Sequence, residues 1–376
     1  MNVPKLRFKE FNDEWKEQKF KEFTYYSGKR NKENLNLVSY AITNNFGFIP
    51  QSLAHNEFGY MKNTDKRAYN IVTPFSFAYN PARINVGSIG YYNGKKNIIV
   101  SSLYEVFKTK EYIDDKFLWY WLKSDIFPIW INRLQEGSVR QYFYYDKLCE
   151  VSLYYPTFIE QTKIAQFLLL LDKKIELQVK KIEALKLFKK GLIVQTKSDS
   201  TQWSTIKIGN IFHSTRGVII SKSNISSKKE NNFLYPVYSS QTSNNGILGY
   251  DTTYDFNGKY LTWTTDGANA GKVFYRKGKF RCTNVCGILF NDNDMYINKL
   301  MAELLNLETP KYVSYVGNPK LMNNIMENIT MKIPPLKKQI FISNFLEIID
   351  NKIELEISIL SNLKHLKKGL LQNMFV

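Results

Sequence analysis

The side chains best suited to bond-making in this chain are scattered rather than grouped. Metal chemistry needs clustered ligands, yet the histidines His55, His213 and His365 lie far apart and none neighbours a cysteine pair. Cys282 and Cys286 stand alone as C-x3-C, too little for zinc without a second pair, and read as packing residues of a strand or turn. Asp266-Gly267-Ala268-Asn269-Ala270-Gly271-Lys272 faintly resembles a phosphate loop. It is one residue short and runs into Val273 where Ser or Thr is needed, so a Walker A reading is rejected. The loop is expected instead to bring its backbone to a nucleic-acid phosphate, with Lys272 beside it. Ile333-Pro334-Pro335-Leu336 fails at both ends as the Asn/Asp-Pro-Pro-aromatic signature of an amino methyltransferase. No carboxylate–lysine nuclease cluster is evident. The expectation is therefore no catalytic residue, no metal and no cofactor in this chain.

Basic residues interleaved with aromatics and amides are abundant. Lys plus Arg is 52 and Asp plus Glu is 34, a net charge of +18, which favours a polyanionic partner such as double-stranded DNA. In the first part of the chain the candidate DNA contacts are Lys29, Arg30, Lys66, Arg67, Tyr79, Asn80, Arg83, Lys95, Lys96, Arg140 and Tyr142. In the later part they are Arg216, Lys228, Lys229, Ser240, Gln241, Asn244, Lys272, Arg276, Lys277, Lys279 and Arg281. Arg, Asn and Gln can read guanine and adenine edges, whereas Ser and Lys mostly hold phosphates.

The elements that must position these residues are repeated. Pro156 to Gln195 aligns without a gap on Pro334 to Asn373 at an offset of 178, and 16 of the 40 positions are identical. Gln161/Gln339, Phe167/Phe345 and Asp172/Asp350 are among them. Ile164, Leu168, Leu171, Ile175, Ile182 and Leu185 are spaced four and three apart or a heptad apart, a seam for helix pairing. The second copy has Ile342, Leu346, Ile349, Ile353, Leu360 and Leu363. Two seam positions are polar in both copies, Gln178 with Glu356 and Lys189 with Lys367. Shared polar breaks imply that the helices pair with each other, antiparallel, with Gln178 and Glu356 in one layer fixing register.

The intervening regions are rich in Tyr, Phe, Asn, Gly and Ser, with short strand-like runs such as Asn97–Val100 and Lys259–Trp263. Helical patches recur near Lys116–Ser124 and Asn298–Asn306. Trp15–Phe23 echoes Trp203–Ile211, and Gly137-Ser138 and Gly317-Asn318 each precede a helix-starting proline. The expected fold is α+β: globular regions at 1–155 and 197–333, spacer helices at 156–196 and 334–376, and a pseudo-two-fold axis. Three cysteines (Cys149 is the third) suit a reducing compartment, and Met1–Lys5 has no apolar signal core. The longest apolar run, Phe167–Leu171, is far short of a membrane span, so a cytoplasmic location without membrane contact is expected.

Asn70 to Gly90, followed by Ile99–Tyr104, resembles the recognition-domain core of the specificity subunits of type I restriction-modification systems. Tyr235–Ser240 and Asp266–Gly271 resemble another branch of the same domain. The Pro–x4–Gln…Asp–x–Lys–Ile–Glu helix, present twice, is the most specific marker. The resemblance covers essentially the whole chain. It implies a non-catalytic subunit whose two target-recognition domains each read half of a split DNA site. The paired helices would act as a ruler and would dock two modification subunits. Those partners would bind S-adenosylmethionine and methylate adenine, and separate motor–nuclease subunits would cut. Two other readings fit the charge alone: a DNA-modifying or DNA-cutting enzyme with a cryptic site, and a basic coiled-coil scaffold.

Overall fold

A computed structural model describes residues 3–44, 47–54, 65–136, 141–198, 202–230, 232–241 and 243–376. The chain forms two compact units, one of residues 1–178 with 359–376 and the other of 179–358. Each unit holds a globular α+β region and part of both long helices, which run Phe158–Ser198 and Leu336–Asn373.

The first unit opens and closes on one antiparallel ladder, Lys16–Lys19 against Ser152–Tyr155. Tyr155 leaves this ladder into Pro156, which disfavours helix at the preceding residue and so marks the switch from strand to helix. Between the two strands lies a four-stranded antiparallel sheet, ordered Thr24–Tyr26, Glu105–Thr109, Ser76–Tyr79, Ile89–Tyr92. Ser76–Tyr79 is buried at every position, as expected of a central strand covered on both faces. Beside it lie a three-stranded sheet (Lys29–Arg30, Asn70–Val72, Ile98–Val100) and the hairpin Tyr40–Thr43/Gly47–Pro50. Helix Asp115–Leu122 is capped by Asp114, whose carboxylate accepts from the amides of Lys116 and Phe117. Its Phe117, Leu118 and Trp121 form a core with Ile164, Leu168 and Leu171 of the first long helix and Leu363, Leu370 and Phe375 of the second.

The second unit repeats this plan on a different sheet. Ser204–Lys207 pairs antiparallel with Thr330–Ile333 at its mouth. Its six-stranded sheet is ordered His213–Arg216, Cys286–Phe290, Phe256–Thr264, Val273–Cys282, Tyr235–Tyr238, Ile247–Asp251. All neighbours are antiparallel except Tyr235–Tyr238 with Val273–Cys282. Helix Lys299–Glu308 is capped by Asn298, which accepts from the Met301 amide. Its apolar face packs with Ile193, Ile342 and Leu346 of the long helices. Within this unit the helices run antiparallel, since Lys181 meets Glu356 at 2.7 Å while Lys189 meets Asp350 at 2.7 Å.

The repeated residues do equivalent work in both units. Gln161, fully buried, donates to the Pro156 and Tyr112 carbonyls and accepts from the Asp114 amide. Gln339, 178 residues on, donates to the Pro334 carbonyl and accepts from the Asn298 side chain. In each unit the glutamine therefore ties the start of a long helix to the cap of a domain helix. Lys367 pairs with Asp172 at 2.5 Å, as Lys189 pairs with Asp350. Of the seam residues, Ile164, Leu168, Leu171, Ile182, Ile342, Leu346, Ile349, Ile353, Glu356 and Leu363 are buried. Ile175, Gln178, Leu185 and Leu360 are half-buried. The buried Glu356 carboxylate lies between Lys181 and Lys352.

Asp350 also meets Lys299 at 2.5 Å. Burial pushes its carboxyl up, but hydrogen bonds from Lys189 and Lys299 outweigh that and hold it below the usual range. A depressed carboxyl stabilises the fold above its unfolded pKa of about 4, and the stabilisation fades as pH falls through the lower folded value. Asp350→Asn is thus expected to cost about 1 kcal/mol at pH 7, allowing for its partial exposure. In urea titrations the gap to wild type should close as pH drops below about 4.

Candidate nucleic-acid interface

In the first unit one concave groove gathers several of the expected contacts. A cavity of about 770 Å³ is lined by Arg30, Asn80, Arg83, Gln141, Tyr142 and Tyr144, with Glu105 and the Ser102–Leu103 turn. They come from four separate stretches of chain, around residues 30, 80–85, 102–105 and 141–144. Arg30 ends a short strand opposite Asn70, and its guanidinium donates to the carbonyls of Ala68 (2.6 Å) and Ser102 (3.1 Å). Asn80 follows the buried strand and forms a turn, its side-chain oxygen accepting from the Ala82 amide. That turn presents Arg83, which is exposed and makes no side-chain hydrogen bond or ion pair among the described residues. Tyr142 and Tyr144 stack in parallel, 5.5 Å apart with 4° between planes, a sequence-tolerant platform for a base or ribose.

The other expected contacts of this unit are not gathered there. Lys29 and Arg67 are exposed and Lys66 is half-buried. Lys95 and Lys96 are exposed just before Ile98, at the Val72 end of the three-stranded sheet, whereas Arg30 lies at the Asn70–Val100 end. Arg140 lies outside the described residues, as do His55 and the Gly137-Ser138 exit. Tyr79 needs correction: it is 0 % exposed and packs its ring against Phe107, so it cannot stack on a nucleotide.

In the second unit the candidates are spread along the sheet. Lys272 and Arg281 are nine residues apart on one extended stretch, roughly 30 Å. Lys277 and Lys279 are exposed between them, Lys279 lying over the Tyr254 ring at 4.6 Å. Arg281 is held by Asp251 and Asp255 at 2.8 and 3.0 Å. Arg276 also needs correction: it is 3 % exposed, sandwiched against Tyr238 and Phe274, and donates to Thr262 Oγ1. It lies against Gly246 in the loop before Ile247, where an added Cβ would strike its guanidinium. In that loop Gln241 donates to the Ile247 carbonyl and Ser240 is half-buried, while Asn244 is exposed in the left-handed region with φ 48°. Lys228 and Lys229 are exposed beside Ser226, which bridges to Tyr250. Arg216 is partly tied by Asn323.

In the loop Asp266–Lys272, expected to bring its backbone to a phosphate, four amides are taken up within the fold. The amides of Gly267, Ala270, Gly271 and Lys272 donate to the carbonyls of Pro319, Gly267, Thr264 and Asn269. Those donors are closed off internally, and the left-handed Gly267 and Gly271 serve the turn itself. Cys282 and Cys286 are buried free thiols flanking a tight turn. Among the described residues no group of three or more His, Cys, Asp or Glu could hold a metal ion.

As a phosphate contact, the unpaired Arg83 of the groove should act on affinity rather than on sequence. Arg83→Ala is expected to weaken duplex binding about equally for all sequences and to lower the salt slope by about one. Binding isotherms at three salt concentrations would show this, and a sequence-dependent loss would contradict it.

Two α+β regions, each running into a copy of one helix and bearing exposed cations and amides, define a two-module recognition protein. The chain belongs to the type I restriction-modification DNA specificity family, whose domain model matches residues 12–187 and again 200–365. A Mycoplasma pneumoniae protein named as the N-terminus of type I specificity subunit S.MpnORF289P is 46% identical over 147 residues, covering 39% of this chain and 77% of its own. The type I restriction enzyme MpnII specificity subunit of the same organism is 39% identical over 145 residues, 38% of this chain and 43% of its own. The crystal structure of a type I restriction-modification S subunit from M. genitalium matches at a TM-score of 0.66 and 16% identity, covering 100% of this chain and 99% of that one. That last likeness is one of fold.

Proposed function

We propose that this chain supplies DNA sequence recognition, and no chemistry, to a type I restriction-modification complex, each domain reading one half of a bipartite target. The observation carrying this reading is the duplication. Two separately cored units each match the specificity domain, and each carries its own set of exposed cations and amides. Because the two sheets differ in strand number and order, the two half-sites should differ, giving an asymmetric target.

The helices are the docking surface for two modification subunits, which carry S-adenosylmethionine; motor–nuclease subunits complete the assembly. What supports this is a set of exposed apolar side chains repeated at the 178-residue offset. Phe167, Leu170 and Leu177 on the first helix correspond to Phe345, Ile348 and Leu355 on the second, and all six are exposed. Matched patches fit two copies of one partner. The place of work is the cytoplasm; no described helix is long and apolar enough to cross a membrane.

Methylome sequencing of cells carrying the system tests the reading. The expected result is a split motif with an unread spacer, lost when this chain is deleted; a continuous motif would overturn it. The purified chain alone should neither transfer methyl groups nor cut DNA.

A further inference from the structure

We propose that Glu105 is a base-reading residue of the first domain, accepting a hydrogen bond from an exocyclic amino group on a base edge, cytosine N4 or adenine N6. The inference rests on the DNA-reading function proposed above and assigns one contact within it.

Glu105 opens the strand Glu105–Thr109 and is held in register opposite Tyr79, so its position is fixed by the sheet rather than by a loose loop. Glu105 lines the groove that also presents Asn80, Arg83 and Tyr142. It makes no hydrogen bond or ion pair among the described residues. Arg30, the cation that it feels, makes no ion pair with it and directs Nη1 to the Ala68 and Ser102 carbonyls. Burial raises the Glu105 carboxyl, and Asp146 raises it further against the pull of Arg30. A half-buried carboxylate without a donor is unfavourable in the free protein. In a groove meant only for phosphates it would also repel the ligand. Both costs are offset if a neutral N–H donor enters the groove, and on DNA the base amino groups are such donors.

The probe is a randomised duplex library, offered to the full chain purified with its modification subunits. Wild type should enrich a split motif in which one position of one half-site demands a base with an exocyclic amino group. Glu105→Ala should lower discrimination at that position alone by roughly 10- to 100-fold. The other half-site should be unchanged, and affinity for unrelated duplexes should rise because a negative charge is gone. Glu105→Gln keeps the shape and guards against misfolding, which thermal unfolding of both variants would reveal. A cytosine at the position should shift toward adenine in this variant, and an adenine should be retained, which separates the two donors. A motif unchanged in both variants, or a uniform loss of affinity, would overturn the assignment. A wild-type library with no split motif would instead defeat the function on which the assignment rests.

Discussion

Leu168→Ala and Leu346→Ala are each expected to lower the unfolding free energy by about 2–5 kcal/mol. Both leucines are 0 % exposed, and they occupy the same place in the repeat, 178 residues apart. Leu168 closes the core formed by Phe117, Leu118 and Trp121, and Leu346 closes the one formed by Leu300, Leu304 and Leu305. Each truncation removes three buried carbons and leaves a cavity that aromatic and capped-helix neighbours cannot easily fill. For units of this size the loss corresponds to a fall in Tm of roughly 4–20 °C by calorimetry. Leu170→Ala and Ile348→Ala are the matched controls, since these side chains are 67 % and 64 % exposed. They should change Tm little while weakening retention of modification subunits in co-purification. If the buried and exposed pairs destabilised equally, the division of the helix surface into packed and outward faces would be wrong.

Replacing Gln161 by alanine is expected to cost about 2–4 kcal/mol, because it strands buried partners on both sides of a joint. The Pro156 and Tyr112 carbonyls lose their donor, and the Asp114 amide, at the cap of helix Asp115–Leu122, loses its acceptor. Gln339→Ala should cost somewhat less, since one of its two partners is a side chain, Asn298, that can turn elsewhere. Gln161→Glu is the sharper test. A carboxylate there would face two carbonyl oxygens in a buried site, so burial and repulsion should raise its pKa. The variant should therefore be less stable at pH 7 than at pH 5, where the acid can be protonated and donate again. Urea titrations at the two pH values read this directly, and equal loss at both would show that the amide is not satisfying those carbonyls.

Much of the long-helix geometry was legible because it is local. Seam positions repeat every three or four residues within one element, and the observed helices, Phe158–Ser198 and Leu336–Asn373, fall within three residues of the expected bounds. The repeat also marked Gln161 and Gln339 as identical, yet spacing could not say that each reaches a domain helix. Lys189 and Lys367 read as polar breaks in a seam, and the structure shows each paired with the aspartate of the other repeat copy.

The recognition surface was only partly legible. Counting cations placed Arg276 with Lys277 and Lys279 among the candidate DNA contacts. Side chains of a strand alternate between its faces, so Arg276 goes inward with Phe280 and Cys282 while Lys277 and Lys279 go outward. The sequence carried that signal, in Phe274, Arg276, Phe280 and Cys282 at even spacing. Tyr79 gave no such warning, because its strand is covered on both faces. Glu105 was missed because a search for DNA contacts looks for positive charge. Only the register of Glu105 against Tyr79 brings it to the groove of Arg30, Asn80 and Arg83.

The sequence by itself determined the duplicated plan, the extent and facing of the two helices, and the basic character that points to DNA. Those properties depend on periodicity and composition, which neighbouring residues express without long-range contacts. The tertiary structure decided which polar side chains line the groove and which hold the protein together. Arg30, Asn80, Glu105 and Tyr142 lie up to 112 residues apart and converge only through strand register and turn geometry. No local pattern encodes that convergence, because burial of a charge or an amide depends on what the rest of the chain packs against it.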